Sequence, residues 1–160
     1  MSAEIPSHAV NYGNLSRDLS TLALLYRYQL RQAEAEPLMK RALAITEKER
    51  GGDLGARLND LASLYAEQRR YSEAEPLFKR ALAITEKERG PESRDVATDL
   101  SNLGMLYREQ GRYAEAEPLM KRAVVIDEKA LEPDDPNVGR DLSNLAGLYY
   151  VQSDWARAAD

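Results

Sequence analysis

Residues Leu100–Ile126 read LSNLGMLYREQGRYAEAEPLMKRAVVI, and most of the chain repeats this text. The stretch holds two runs with apolar residues at helical spacing, joined by a Gln-Gly-Arg-Tyr segment. Nearly the same residues occupy Leu58–Ile84 and Leu19–Ile45, and the pattern begins a fourth time at Leu142. Such repetition of a helical hairpin predicts an all-α solenoid of stacked helix pairs.

The length of the repeat follows from the tyrosine that closes the first helix of each copy. Tyr65 follows Tyr26 by 39 residues, and Tyr107 and Tyr149 each follow the preceding tyrosine by 42. The two equal steps indicate a 42-residue period with a three-residue deletion in the first copy. The glycine-rich segment after Arg50 is where a loop can absorb that deletion.

We divide the chain into an N-terminal tail, residues 1–13, and an array, residues 14–160. The tail lacks the basic start and apolar run of a signal peptide. No segment approaches the ~20 apolar residues of a membrane-spanning helix. We therefore expect a cytoplasmic protein without a membrane partner. The predicted copies are at about 16–54, 55–96 and 97–138, with a truncated copy at 139–160.

The composition excludes several classes of function. The 22 basic and 27 acidic residues give a net charge of −5 with the signs interleaved, whereas a nucleic-acid partner requires a basic stripe. The absence of cysteine removes disulfides, thiol nucleophiles and thiolate metal ligands. The only histidine, His8, lies in the tail, which excludes a histidine-based triad or a multi-histidine metal site. We expect no catalytic residues, no cofactor and no metal.

Local signals support two helices in each copy. We place a proline in the first turn of each second helix, where its missing N–H costs little. Ser72-Glu73-Ala74-Glu75 is typical of a capping box. Small residues in the first helices let two helix axes approach closely. The prolines are Pro37, Pro76 and Pro118, and the small residues are Ala23, Ala62, Gly104 and Ala146. We also expect helix-stabilising ion pairs between a glutamate and the lysine four residues later, at Glu36/Lys40, Glu75/Lys79 and Glu117/Lys121.

These positions resemble the tetratricopeptide repeat. Leucine at the fourth and seventh places of the first helix, a small residue at the eighth and tyrosine at the eleventh match that family. The 42-residue step and the phrases Asn102-Leu103-Gly104 and Gln110-Gly111-Arg112-Tyr113 are similar to the longer repeat of kinesin light chains. The resemblance implies a right-handed superhelical solenoid of antiparallel helix pairs. Departures are Leu30 and Gln32 in the first turn, and Ser153-Asp154-Trp155, where we expect the fourth turn.

In that family the first helices line a concave groove, so the resemblance implies a peptide-binding surface. The asparagine before the second core leucine bonds the backbone of a bound peptide in kinesin light chains, and Asn102 and Asn144 match it. A carboxamide both donates and accepts, so it can pair with an extended peptide of any sequence. The candidate groove residues are Arg17, Thr21, Arg27, Asn59, Asp60, Ser101, Asn102, Arg108, Arg140, Asn144 and Tyr150.

Two hypotheses about function follow. In the first, the chain is a non-enzymatic scaffold that binds a peptide segment, and arginines such as Arg108 and Arg140 select acidic groups. The alternative for these side chains is local salt bridging or simple solvation. In the second hypothesis, the chain is a structural block that self-associates end to end. The residues from Trp155 onward are too few to cover Leu142, and solenoid ends normally need a polar cap.

Overall fold

The computed structural model describes residues 12–49, 53–130 and 135–159, and the side chains of residues 14–49, 53–130 and 135–153. His8, the Gly51-Gly52 loop and the 131–134 segment lie outside the described residues. No strand occurs within the described ranges. The helices are α1 (Tyr12–Tyr28), α2 (Gln32–Glu49), α3 (Leu54–Glu67), α4 (Tyr71–Arg89), α5 (Arg94–Glu109), α6 (Tyr113–Ala130) and α7 (Pro136–Ala159).

The chain divides into two compact units between Arg57 and Leu58, inside α3. In the first unit, α1 packs against α2 as a helical hairpin. In the second unit, α5 packs against α4, α6 and α7, and α6 also packs against α7. The predicted all-α architecture of repeated helix pairs is confirmed. The hand of a superhelix stays a prediction.

The core of the second unit is built where α5 meets α6. Val96, Ala97 and Leu100 of α5 pack with Ala123 and Ile126 of α6, and each is at most 1% exposed. Burial of these apolar groups is the main force that holds the hairpin closed.

The small residue of the first helix has the predicted effect at Gly104. A β-carbon added there would lie 2.8 Å from Cγ of Met120 and 3.5 Å from the carbonyl oxygen of Ala116. The axes of α5 and α6 therefore approach more closely than a larger side chain would allow.

The three hairpin turns share one backbone geometry although their sequences differ. Leu30, Arg69 and Gly111 occupy the left-handed region, with φ of 60°, 59° and 73°. The N–H of the next residue, an arginine in each case, donates to the carbonyl of the tyrosine five residues earlier, at 2.8–2.9 Å. This is the bond of a Schellman helix end. The first turn thus keeps its geometry without glycine, at the cost of placing a leucine at positive φ.

Two local predictions are wrong. The α4 helix begins at Tyr71, so Pro76 lies in the second turn rather than the first, and the same holds for Pro37 and Pro118. The helices continue through these prolines, which are all exposed, so the carbonyl left without an N–H partner can be hydrated. The N-cap of α4 is Arg70 with no side-chain cap bond, so the expected capping box does not form.

The fourth copy also departs from prediction. The α7 helix runs without a break from Pro136 to Ala159, so no turn forms at Ser153-Asp154-Trp155. Asp154 stands where each of the other turns has an arginine, and the Ser153 hydroxyl donates to the Tyr150 carbonyl within the helix at 2.8 Å. At its start, Asp135 accepts the N–H of Asn137 at 2.8 Å, which caps the helix ahead of Pro136.

None of the described helices combines the length and apolar character needed to cross a membrane.

Candidate interaction surface

A chain of side-chain amides links the first helices of the second unit. The Asn102 side-chain amide of α5 donates to the Asn59 carbonyl oxygen of α3 at 3.5 Å, a long hydrogen bond. Asn59 in turn donates to a carboxylate oxygen of Asp99, which is only 3% exposed. The buried carboxylate therefore orients Asn59, and Asn59 orients Asn102. Asn102 is half-buried and retains its own carbonyl oxygen and a second amide hydrogen for a ligand.

Ser101 does not lie where the sequence predicted. It is 4% exposed, and its hydroxyl donates to the Asp141 carboxylate of α7 at 2.9 Å. One step along a helix rotates a side chain by about 100°, which takes Ser101 out of the direction of Asn102 and into the packing of α5 against α7. Ser101 is therefore a buried structural residue, closed to a ligand in this structure.

Arg108 and Tyr150 lie on facing helices of the second unit. The Arg108 guanidinium rests against the α7 backbone, with Nη1 3.1 Å from where a β-carbon on Gly147 would be. Asn144 and Tyr150 are three residues before and after Gly147, so each lies about 60° around α7 from Gly147, in opposite directions. Asn144 is half-buried and Tyr150 is 69% exposed. The structure thus brings an amide, a guanidinium and an exposed aromatic ring to adjoining faces of α5 and α7.

The other candidates in the second unit are less open. Arg140 has a 48% exposed side chain, but its Nε lies 3.3 Å from the buried Asp141 carboxylate. The alternative of local salt bridging therefore applies to Arg140. Asp60 is half-buried on α3.

In the first unit, Arg17 and Thr21 are exposed on α1, and Arg27 is half-buried. The Thr21 hydroxyl donates to the Arg17 carbonyl at 3.0 Å, an ordinary bond within a helix.

Sequence reasoning missed the role of the arginine that follows each left-handed turn residue. The guanidinium groups of Arg31, Arg70 and Arg112 lie 4.3, 4.0 and 4.1 Å from the ring centroids of the tyrosines five residues earlier. Each also bonds the glutamate three residues later and the glutamine two residues earlier. The recurrence of Gln-x-Arg with tyrosine before and glutamate after was the available signal.

The third of these arginines also ties neighbouring copies together. Arg112 donates to the Glu75 carboxylate of α4 at 2.7 Å, and the Tyr107 hydroxyl donates to it at 3.1 Å. Lys79 lies 2.7 Å from the same carboxylate. Arg112 foremost, with Lys79, lowers the pKa of Glu75 to about 2. The predicted Glu75/Lys79 pair is confirmed, as are Glu36/Lys40 and Glu117/Lys121, at 2.7 and 2.6 Å.

Buried acids lie at the other end of the hairpins, near the connections between copies. Burial raises the pKa of Asp99 to about 6, although Asn59 bonds one of its oxygens. The other oxygen of Asp99 has no hydrogen-bond partner among the described residues. Within the same part of the chain, no group of three acidic or histidine side chains is placed to hold a metal ion.

Comparison with known proteins agrees with this architecture. Family models described as tetratricopeptide repeat match residues 53–129 and 95–160, and another matches residues 19–53. No curated protein matches the chain.

Several solved structures are similar to the chain. BtubC (BKLC) from P. vanneervenii has a TM-score of 0.81 and 26% identity over 93% of this chain, which spans only 61% of BtubC. A kinesin-light-chain-like protein of Podosopora anserina, with nearly identical TPR-like repeats, has a TM-score of 0.81, 24% identity, and coverage of 93% and 72%. The N-terminal domain of stress-induced protein-1 from C. elegans has a TM-score of 0.62 and 15% identity, and the match covers 85% of this chain and 98% of that one.

Proposed function

Because the chain belongs to the tetratricopeptide repeat family, a family of protein-interaction scaffolds, we propose that it binds a peptide segment without catalysing a reaction. The binding surface in the second unit is the face of α5 and α7 that carries Asn102, Arg108, Asn144 and Tyr150. The corresponding candidates on α1 would act within the first unit. The choice of surface rests on the place of these residues in the repeat, and the similarity to solved structures supports the helical repeat itself.

The observation that carries the proposal is the oriented amide of Asn102. Its link through Asn59 to the buried Asp99 restricts the side chain before any ligand arrives. A pre-oriented amide loses less side-chain entropy on binding than a free one. Asn144 lies 42 residues later, at the equivalent place on α7, so the surface offers two amides to a peptide backbone.

Charge would add selectivity. Arg108 lies against Gly147, and Tyr150, three residues after Gly147 on α7, exposes its ring. A guanidinium can pair with a carboxylate bidentately, and an exposed aromatic ring can pack on an apolar neighbour of that carboxylate. The ligand would therefore be an extended peptide with an acidic side chain or a free carboxyl terminus.

The test is a titration of the folded chain with a peptide library, followed by measurement of the best binders on variants. Asn102→Ala and Asn144→Ala should each weaken binding about five- to tenfold, the equivalent of one hydrogen bond at ~1 kcal/mol. Ser143→Ala is the matched control, because the Ser143 hydroxyl is exposed and bonded within its helix to the Gly139 carbonyl at 2.7 Å. Unchanged affinity in both asparagine variants would remove this surface from consideration.

One observation favours self-association as a second candidate function. Leu142 and Tyr149 are 44% and 41% exposed on α7, whereas their equivalents Leu100 and Tyr107 are 0% and 5% exposed. An exposed apolar face of this type supports association with a second copy. Light scattering over a range of concentrations should then show dimers that Leu142→Lys abolishes and Ser143→Lys does not. A monomer at every concentration would refute it.

A further inference from the structure

A polar cavity of about 350 Å³ lies at the start of α5 and α7. It is lined by Arg94, Asp95 and Thr98 of α5, Asp127 of α6 and Asn137 of α7. Its volume is at the small end of the range for ligand sites. All five lining residues belong to the second unit.

Asp127 is the unusual member of this lining. It is 3% exposed, and its Oδ1 has no hydrogen-bond partner among the described residues. A buried carboxylate oxygen without a donor is costly, so such an atom calls for an explanation. Asp127 is therefore a nearly buried acceptor that faces an open space large enough for a small group.

The other copies do not share this feature. The equivalent residues are Thr46 and Thr85, which are also buried. Their hydroxyls donate to the carbonyls of Ala42 and Ala81, at 3.1 and 3.0 Å, so they are satisfied within their own helices. The fold thus accepts threonine at this position, and the aspartate of the third copy is not needed for packing.

The hydrogen-bonding groups around the cavity are mostly acceptors. Asn137 uses its amide nitrogen on the Asp135 carboxylate at 2.9 Å, which leaves its carbonyl oxygen free to accept. The Thr98 hydroxyl donates to the Arg94 carbonyl at 3.2 Å and keeps its lone pairs. Asp95 is exposed, and its Oδ2 lies 3.8 Å from Nε of Arg89, near the upper limit for a salt bridge. A ligand that binds in this cavity must therefore carry several hydrogen-bond donors.

The charges favour a cation. Asp95 lines the same cavity, and the charged groups that act on Asp127 include the acids Asp141 and Asp135 and the arginines Arg94 and Arg140. With Asp127 itself, the acids outnumber the arginines that act on it. Burial foremost, and then Asp141, raise the pKa of Asp127, so Arg94 and Arg140 do not fully compensate its charged form.

We propose that this cavity receives the guanidinium or ammonium group of a basic side chain from a bound polypeptide, with Asp127 as its counter-ion. The source is a polypeptide because the cavity continues the proposed peptide surface. Arg94, Thr98 and Asn102 are spaced four residues apart and share one face of α5, and Asn137 is seven residues before Asn144 on α7. The choice of a polypeptide as the source therefore rests on the proposed function, whereas the choice of a cationic group rests on Asp127 alone.

Arg94 limits the affinity. Its guanidinium lines the same cavity and acts on Asp127. Arg94 is exposed, so its side chain can be displaced into solvent when another cation enters. Removal of its charge should therefore strengthen the binding of an external cation.

The experiment uses N-acetyl-arginine amide as the probe and N-acetyl-citrulline amide as its neutral match, titrated at low ionic strength and followed by NMR of backbone amides around Asp127. The arginine probe should bind in the millimolar range and the citrulline probe at least tenfold more weakly. Asp127→Thr, which installs the residue of the other copies, should lower the affinity at least tenfold. Arg94→Gln should raise it severalfold.

Other outcomes would overturn the proposal. Equal binding of both probes, or unchanged binding in Asp127→Thr, would mean that Asp127 is not the counter-ion of a bound cation. Guanidinium chloride that bound as tightly as an arginine-containing tripeptide would point to a free small cation instead of a polypeptide. Asn102→Ala should leave the probe's affinity unchanged, so failure of the peptide surface and failure of the cavity can be told apart.

Discussion

In the second unit, carboxylates at the two ends of the helical hairpins have pKa values shifted in opposite directions. At the turn end, Glu75 is surrounded by Arg112, Tyr107 and Lys79, and its pKa falls to about 2. At the end where copies connect, Asp99 is buried with one unpartnered oxygen, and its pKa rises to about 6. Charged side chains therefore stabilise the fold at the turn end, whereas at the connecting end, where the apolar core of α5 and α6 also lies, buried carboxylates cost stability and can serve binding.

The largest effect is expected at the turn end. Glu75→Gln removes the charge that Arg112 and Lys79 share, and it should cost about 1–2 kcal/mol at pH 7, measured by chemical denaturation. The folded pKa of Glu75 lies below its ordinary value of 4.5, so its contribution is present above pH 4.5. The contribution is lost as the pH falls toward 2, so the variant and the parent should converge there.

Glu117 provides the control for this prediction. It has the same lysine and tyrosine partners, Lys121 at 2.6 Å and Tyr149 at 3.1 Å. The fourth copy has Asp154 where Arg112 stands in the third. Glu117→Gln should therefore have a clearly smaller effect than Glu75→Gln. Equal losses would show that Arg112 does not distinguish the two sites.

The next effect is at the connecting end and has the opposite sign. Asp99→Asn keeps an oxygen for Asn59 to bond and removes a buried charge, so it should stabilise the fold by about 1 kcal/mol at pH 8. Asp99 has a folded pKa above its ordinary value of 3.8. Its stabilising protonated form is fully present below pH 3.8 and is lost as the pH rises through 6. The advantage of the variant should thus vanish near pH 4, and a destabilised variant at pH 8 would contradict the comparison.

The smallest effect compares the turns themselves. Arg69 and Gly111 hold nearly the same left-handed conformation, which costs an arginine more than a glycine. Arg69→Gly should stabilise the chain by about 0.5 kcal/mol, since strain relief exceeds the added entropy of the unfolded glycine. Gly111→Ala should destabilise it by about 1 kcal/mol. Thermal unfolding followed by circular dichroism measures both, and shifts of the same sign would show that this conformation is not under strain.

Repetition explains how much of the fold could be predicted. Tyr26, Tyr65 and Tyr107 recur with the apolar stripes, so helix pairs and their turns follow from spacing alone. The uninterrupted α7 could not be predicted that way. A helix ends only where side-chain and backbone contacts make the turn more stable than a continued helix, and spacing does not show those contacts. The pattern at Ser153 matches in position, but Asp154 replaces the arginine whose guanidinium packs on the tyrosine and bonds the glutamate in the other three turns.

Side-chain partners were harder to predict than helices. Asn102 was predicted as a ligand contact from its place in the repeat, but its link to Asp99 depends on contacts between residues about forty positions apart. Ser101 was misplaced because adjacent helical residues differ by 100°, and the sequence does not show which of the two turns inward. Asp127 was overlooked because a single acid among threonines stands out only when the copies are aligned and its surroundings are known.

Among the described residues of the second unit, the helices that pack closely are neighbours or next neighbours along the chain. Chain segments that meet in this packing are close in sequence, so little loop entropy opposes their first encounter, and folding should be rapid. This local packing also affects how the array can change in evolution. A 42-residue copy can be gained or lost at such a boundary while the remaining hairpins keep their own contacts, so the length of the array can change without a new fold being invented.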